Sequence, residues 1–382
     1  MVKNLSPTSW WITGATMVAF ALIMIPASYF LQESAASTVP TATMKIIVDI
    51  DPGADDSMAL LTLLQEDNVK LDIIAVSTVA GNADIENVTR NAIRTLQIAK
   101  RFDIPVYKGA SRGLVHQTIG EKFFGSDGFG ETTFDTHLAE YLLRDEVAAN
   151  MLVNRVRAMP NQVTVVALGP LTNIALAIGL YPDFLKDVKR LIILGGSYQG
   201  VGNVRPGAEF NFYFDPEAAQ LVLSSAPEEN PITLLPIEAV SDAAIPMTWR
   251  QDTLGKLNST VMQFLNKIEA YVLHGKEYWR PYDPVAACIA INPQIVSSTK
   301  KVSARVLCCP DSARGVMIVD YKSTSVNIEL VTEINKEIFK DILLENLGPW
   351  RRKEIATIPS CTLCHGYYML VESRKMNMAT YQ

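Results

Sequence analysis

The chain has no basic stripe, no internal repeat and no low-complexity tract. Its 382 residues carry a net charge of −6 and a pI near 5.4. A nucleic-acid partner, which calls for clustered Lys and Arg, is therefore not expected. The lack of repeats and biased tracts removes solenoid and linker architectures from consideration. Cysteine is scarce, with five residues in all. Cys288 falls in a helical pattern and Cys308-Cys309 end an apolar strand pattern, so these three are expected to pack as small hydrophobes. Cys361, Cys364 and the adjacent His365 are too few for a structural zinc site, which needs four ligands. In an oxidising compartment they read as a short-loop disulfide or as unpaired thiols rather than a redox motif.

The first 43 residues differ from the rest. Lys3 is followed by an uncharged, largely apolar stretch, Ser9 to Leu31, with Trp10, Trp11 and the run Met17–Ile25. That stretch is long enough to span a bilayer, and Ser34-Ala35-Ala36 offers a small-residue cleavage site. A cleaved secretory signal and an uncleaved membrane anchor through residues 9–31 both fit. Either way, the domain after it is expected to face a lumen or the outside, secreted or membrane-anchored. The sequons Asn87-Val-Thr and Asn258-Ser-Thr matter only in that case. The division expected is a targeting or anchoring segment over 1–43, one domain over 44–348 and a tail over 349–382.

The chain is 48% apolar, and its body alternates strand and helix patterns. Strands are predicted at Lys45–Ile50, Lys70–Thr78, Pro105–Tyr107, Val163–Ala167, Arg190–Leu194 and Pro231–Leu235. Helices are predicted at Asp55–Gln65, Ile85–Lys100, Asp145–Met159, Leu171–Ile178 and Pro216–Ser224. Val302–Leu307, Val316–Val319 and Ser325–Glu329 read as a final antiparallel set, closed by a helix over Ile334–Leu347. This is an α/β fold with an open, mostly parallel, Rossmann-like sheet and helices on both faces. In such sheets ligands bind beyond the carboxyl ends of the strands.

One segment stands at such an end. Residues 45–56 read Lys-Ile-Ile-Val-Asp-Ile-Asp-Pro-Gly-Ala-Asp-Asp, an apolar strand that runs into Asp49, Asp51, Asp55 and Asp56. Like charges this close repel unless a cation neutralises them or their pKa values rise. Hard oxygen ligands suit Ca²⁺ or Mg²⁺ rather than zinc. A preference of Asp for helix starts explains Asp55 well and Asp56 passably, but not Asp49 and Asp51.

Later strand ends carry related chemistry. Ser77-Thr78-Val79-Ala80-Gly81-Asn82 ends on an asparagine that also reads as a turn residue. Leu168-Gly169-Pro170-Leu171-Thr172-Asn173 aims the Leu168 carbonyl into the crevice, toward water or a metal. Gly195-Gly196-Ser197 permits close approach of a ligand and leads to Gly202-Asn203 and Ala208-Glu209-Phe210-Asn211. Asp283, in Pro281-Tyr282-Asp283-Pro284, is also a good N-cap. Across these segments the only basic residue is Arg205, so phosphate is poorly served. Carboxylates for a cation, with amides and acids for hydroxyl groups, point to a polyol such as a sugar.

These motifs, in this order and spacing, resemble the nucleoside hydrolases of the inosine–uridine preferring type over roughly residues 45–348. The resemblance implies that Asp51, Asp56, the Leu168 carbonyl and Asp283 hold Ca²⁺, and that Asp51 is also the general base toward the attacking water. It implies that Asp55 and Asn211 hold the ribose 2′- and 3′-hydroxyls, that Asn203 and Glu209 reach the 5′-hydroxyl, and that Asn82 completes the ribose pocket. A homo-oligomer, dimer or tetramer, is implied as well. The chain departs from the family where a histidine precedes the last metal aspartate; here Tyr282 stands. A second histidine, before Asp-Gly, is replaced in Phe123-Phe124-Gly125-Ser126-Asp127-Gly128. His274 reads as a surface residue that could substitute only if its helix delivers it. Departure of the base would otherwise rest on Tyr282 and on stacking by Phe124, Trp279 or Tyr282, which favours purines. Two rivals remain: a binding protein of the same fold without turnover, and an Asp-x-Asp phosphatase, which would need Thr or Val at Gly53 and a lysine in the crevice.

Overall fold

The computed structural model describes residues 43–64, 71–116 and 122–349. The apolar stretch 9–31, the cleavage-site residues, Cys361, Cys364, His365 and the tail from residue 350 lie outside them. By contacts the chain divides between Thr43 and Met44, and the described strands and helices all belong to the unit from Met44 onward. Among the described residues no helix is long and apolar enough to cross a membrane.

The described strands are β1 Met44–Ile50, β2 Leu71–Thr78, β3 Val106–Lys108, β4 Leu143–Arg144, β5 Val163–Ala167 and β6 Arg190–Leu194, then β7 Ile232–Leu235, β8 Ile245–Pro246, β9 Tyr278–Trp279, β10 Val296–Val306, β11 Met317–Asp320 and β12 Ile328–Ile334. Ten of them form one sheet in the order β11-β10-β12-β7-β6-β5-β1-β2-β3-β4, and β8 pairs with β9 apart from it. The sheet is parallel from β12 to β4 and antiparallel where β10 meets β11 and β12. β12 thus joins the expected antiparallel set to the parallel sheet. It also runs on to Ile334, so the last helix starts only at Lys336.

Alternation along each strand sorts side chains onto two faces. Ile46, Val48, Ile50, Val166, Ile192 and Leu194 pack with helices Ala54–Leu64, Tyr282–Ile291 and Lys336–Asn346. Ile47, Val163, Val165, Leu191 and Ile193 pack with helices Ala148–Ala158, Thr172–Leu180 and Pro216–Ser224. Both faces are buried, which is why the strands read as continuous apolar runs. Of the cysteines, Cys288 is fully buried in its helix, but Cys308 is half-buried and Cys309 exposed. Those two sit past the end of β10, where no layer covers them, and the expectation that they pack as core is corrected.

The chain order reverses between β1 and β5, which makes the end of β1 the topological switch point of the sheet. Buried polar bonds fix the surrounding loops. Asn173 donates to Asp49 Oδ1 at 2.8 Å and to the Thr78 carbonyl at 3.0 Å, and accepts from the Ala110 N–H at 2.9 Å. Ser77 adds a 2.5 Å bond to the same Asp49 oxygen. Asp215 caps helix Pro216–Ser224 and accepts from the Thr172 hydroxyl at 2.7 Å and the Leu114 N–H at 2.9 Å. Thr172 and Asn173 of the Leu168 motif are therefore ties between strand ends. Because Asn173 is fully buried, Asn173→Ala leaves three groups short of a partner and is expected to cost about 2–4 kcal/mol. Urea unfolding checks this; an unchanged midpoint would mean the network adds nothing.

Candidate active site

Beyond the carboxyl ends of β1, β5 and β6 lies a cleft of about 330 Å³, lined by Asp51, Asp55, Asn82, Phe124, Leu168, Asn203, Glu209, Asn211, Trp279, Tyr282 and Asp283 among others. All the sequence-predicted ligand and substrate residues reach this cleft except Asp56, which is buried just behind it.

The acidic floor is built from the turn after β1. Asp56 accepts from the Asp51 N–H at 3.3 Å and the Gly53 N–H at 3.0 Å. It thereby makes the backward half of a capping box for the helix that begins at Ala54. Asp56 makes the main capping contact, while Asp55, half-buried at the cleft, accepts from the Asp56 N–H at 3.2 Å. Asn82 clamps this turn: its N–H donates to Asp51 Oδ2 at 2.8 Å, and its side-chain amide reaches the Asp51 carbonyl at 3.1 Å and Asp56 Oδ2 at 3.2 Å. Glycines leave room for the Asp51 carboxylate. A Cβ at Gly81 would lie 2.1 Å from one of its oxygens, and a Cβ at Gly169 would lie 2.5 Å from the other.

One oxygen each from Asp55, Asp56 and Asp283 lie within 4.8 Å of one another, a spacing that oxygens around a single Ca²⁺-sized ion adopt. Asp55, assigned from the resemblance to ribose, belongs to this tight group, whereas Asp51 stands beside it. No described ion pair involves any of the four. Burial, with the Asp56 charge next, pushes the Asp55 carboxyl up to about 8. Burial likewise lifts Asp56 to about 6. Asp51 and Asp283 lie well above the carboxylate range, first by burial and then by neighbouring carboxylates. An all-oxygen, uncompensated donor set of this kind fits a hard divalent cation.

The opposite wall comes from the loops after β5 and β6. The Asn211 amide donates to the Leu168 carbonyl at 2.6 Å and to the Leu194 carbonyl at 3.2 Å. Glu209 caps the short helix Phe210–Phe214 through the N–H groups of Asn211 and Phe212, and takes the Gly196 N–H at 2.9 Å. Burial raises its pKa. Asn203 accepts from the Phe210 N–H at 2.8 Å. Gly195 and Gly196 serve packing rather than ligand approach, since a Cβ at Gly195 would lie 2.5 Å from the Phe212 ring. Ser197 bonds the buried Glu238, which also accepts from the Tyr198 and Gln199 N–H groups and so holds the loop that presents Asn203.

The aromatic assignments divide. Phe124 and Trp279 line the cleft but are only 8% and 5% exposed. Phe124 covers the Pro52–Gly53 turn, and Trp279 stacks on Trp249 at 6.2 Å. The open rings are Phe123 and Tyr278, at 56% and 43% exposure, neither of which the sequence reading placed in the site. The Tyr282 hydroxyl lies 3.2 Å from that of Ser241. Burial raises the Tyr282 pKa, so its hydroxyl stays protonated and can donate a hydrogen bond. None of the described histidines, His116, His137 and His274, lines the cleft; His274 caps the helix Thr260–Leu273 and lines a neighbouring cavity of about 770 Å³. Arg205 is turned away, bonded to the Tyr213 hydroxyl and the Asp311 carbonyl. Lys276 and Arg280, which lie outside the strand-end motifs, do line the cleft, so a lysine that the sequence did not place in the crevice stands at its edge. The helix that brings Glu269, Val272 and Leu273 to the cleft also went unread, although Val261, Leu265 and Ile268 follow Ser259 at helical spacing.

A family model described as inosine–uridine preferring nucleoside hydrolase matches residues 46–341. An uncharacterised protein of Schizosaccharomyces pombe is 31% identical over 80% of this chain and 99% of its own. A probable uridine nucleosidase of Arabidopsis thaliana is 34% identical over 68% of this chain and 81% of its own. Among solved structures, a plant nucleoside hydrolase superposes with a TM-score of 0.71 at 29% identity, covering 80% of this chain and 98% of its own. An inosine–guanosine nucleoside hydrolase gives 0.73 at 26% identity, covering 80% and 99%.

The electrostatics of the floor carry a sign. Carboxyls whose folded pKa is raised favour folding below the ordinary carboxylate range and lose that contribution as pH rises through the folded values, here about 6 for Asp56 and about 8 for Asp55. In chelator the melting temperature is therefore expected to fall between about pH 5 and pH 8, and added Ca²⁺ to raise it more at the higher pH. Equal Ca²⁺ shifts at both values would mean the cation does not act on this cluster.

Proposed function

The chain belongs to the inosine–uridine preferring nucleoside hydrolase family, and on that premise we propose that it hydrolyses ribonucleosides to ribose and free base with Ca²⁺ bound at the acidic floor. The observation that carries the proposal is the convergence of Asp51, Asp55, Asp283, Asn211 and Glu209 on one cleft at the switch point of the sheet.

Asp55, Asp56 and Asp283, whose oxygens lie closest together, would hold the ion, joined by Asp51 and the Leu168 carbonyl. When bound, Ca²⁺ would lower the pKa of the attacking water and anchor ribose hydroxyls. Asp51 takes the proton of that water, its carboxylate kept in place by the Asn82 N–H. Asp55 and Asn211 hold the 2′- and 3′-hydroxyls, Asn203 and Glu209 the 5′-hydroxyl, and Asn82 closes the ribose pocket. Binding energy gathered there positions C1′ away from the atoms that react. Cleavage builds positive charge on the ribose, and a floor of carboxylates stabilises it.

For the base, the aromatic wall made by Phe123, Phe124, Tyr278 and Trp279 favours a purine as the first reading. Uridine is the second, favoured by the Arabidopsis relative described as a probable uridine nucleosidase. The phosphatase rival meets the Phe124 ring, which a Cβ at Gly53 would approach to 2.6 Å.

Ribose release from inosine, adenosine and uridine, measured side by side with and without chelator, tests the scheme. Asp51→Asn is expected to lower kcat by about 10³-fold or more while inosine or uridine binding persists. Full activity in chelator, or in that variant, would remove its centre. Tight nucleoside binding by the wild-type protein with no turnover would instead make it a binding protein of the same fold.

A further inference from the structure

The cleft is electrically two-sided. Its floor holds Asp51, Asp55, Glu209 and Asp283, whereas its lip carries Lys276 and Arg280. The lip is the segment around β9: Lys276, Tyr278, Trp279 and Arg280 line the cleft, Lys276 and Tyr278 line the neighbouring cavity as well, and Glu277 lines only that cavity. Both cationic side chains are exposed and without a hydrogen bond or ion pair among the described residues. Arg280 lines the cleft and not the neighbouring cavity, whereas Lys276 lines both and stands farther out.

We infer that Arg280, assisted by Lys276, stabilises the nucleobase as it leaves as an anion, in a cleft where no described histidine is present to protonate it. The inference rests on the hydrolase function proposed for this cleft and adds the group that serves the departing base. When the C1′–N bond breaks, its electron pair goes to the ring nitrogen. Water supplies hydroxide to C1′ and its proton to Asp51, and the base anion takes a proton from solvent once it leaves. A guanidinium offers a planar fork of donors to the departing ring nitrogen and the acceptor beside it, N3 of a purine or the C2 carbonyl of a pyrimidine, which an ammonium does not. Acid below and base above thus match the two charges that heterolysis separates. Tyr278 and Phe123, the open rings beside the lip, give the base a surface to lie on.

The test varies the leaving group. p-Nitrophenolate is a stable anion that departs with little help, so p-nitrophenyl β-riboside reports on the ribose half of the site alone. Arg280→Met is expected to lower kcat/KM for inosine or uridine about 100-fold, through kcat rather than KM. Its loss on p-nitrophenyl riboside is expected to be at least about tenfold smaller. Arg280→Lys, which keeps the charge, is expected to recover most of the difference, and Lys276→Met to show a smaller loss with the same substrate dependence. Equal losses on both substrates, or no loss on the nucleoside, would overturn the assignment. A wild-type protein that cleaves p-nitrophenyl riboside and nucleosides alike keeps the hydrolase reading whatever the variants do. One that cleaves neither removes that reading and the lip's role with it.

Discussion

Everything around the cleft answers to one constraint, the burial of several carboxylates around one strand end with no basic side chain among the described residues paired to them. Asp49, Asp51, Asp56 and Asp283 are at most 4% exposed. Moving a charge of that size out of water costs several kcal/mol unless something compensates it. The compensation inside the chain is all neutral: the N–H groups of Asp51, Gly53 and Asn82, the amides of Asn82 and Asn173, and the Ser77 hydroxyl. Neutral donors steer carboxylates without cancelling their charge. A lysine or arginine in their place would stabilise the fold better and would occupy the oxygens that a cation needs. Burial and neighbouring carboxylates raise the pKa values of Asp51, Asp55 and Asp283, so without a cation the cluster favours protons. Proton and metal therefore compete for the same oxygens.

Steric room is the second half of the same constraint. Gly81 and Gly169 come from the ends of β2 and β5, and both face the Asp51 carboxylate at distances a methyl group would close. A glycine at each position lets two loops lie against one charged group, so the floor is set by backbone rather than by flexible side chains. Asn173 and Asp215 then tie those loops to each other from below. Two residues of the Leu168 motif, Thr172 and Asn173, thus support the site without touching the cleft.

Most of this was legible in the sequence because burial leaves a pattern. β5 and β6 match their apolar runs residue for residue, as does helix Pro216–Ser224. The floor was legible for a different reason: acidic residues at the end of a buried strand have no place in a core and draw attention at once. What escaped is short or exposed. β4, β8 and β9 have two residues each, too few to show a period. The division of labour inside the acidic segment was also hidden, since whether Asp55 or Asp56 caps the helix depends on how the Pro52–Gly53 turn closes. Lys276, Tyr278 and Arg280 lie in an exposed stretch that looks like an ordinary solvated loop until the fold sets it above the floor.

That difference in legibility tracks the chemistry. The ribose half must hold charge and hydroxyls in fixed geometry, so it is made from strand ends, glycines and buried amides, each of which constrains the residue type. The base half needs only a flat surface and a positive potential, which several exposed side chains can supply. It is carried by the segment between helix Thr260–Leu273 and Asp283, anchored at one end by the buried Arg250–Glu269 pair and by Trp279 packed on Trp249 and Phe339. A rigid anchor with a solvent-facing edge lets the side chains over the base vary without disturbing the floor. On the proposed reading, choice of base can therefore shift among proteins that share one ribose site, with the lip rather than the acidic signature setting it.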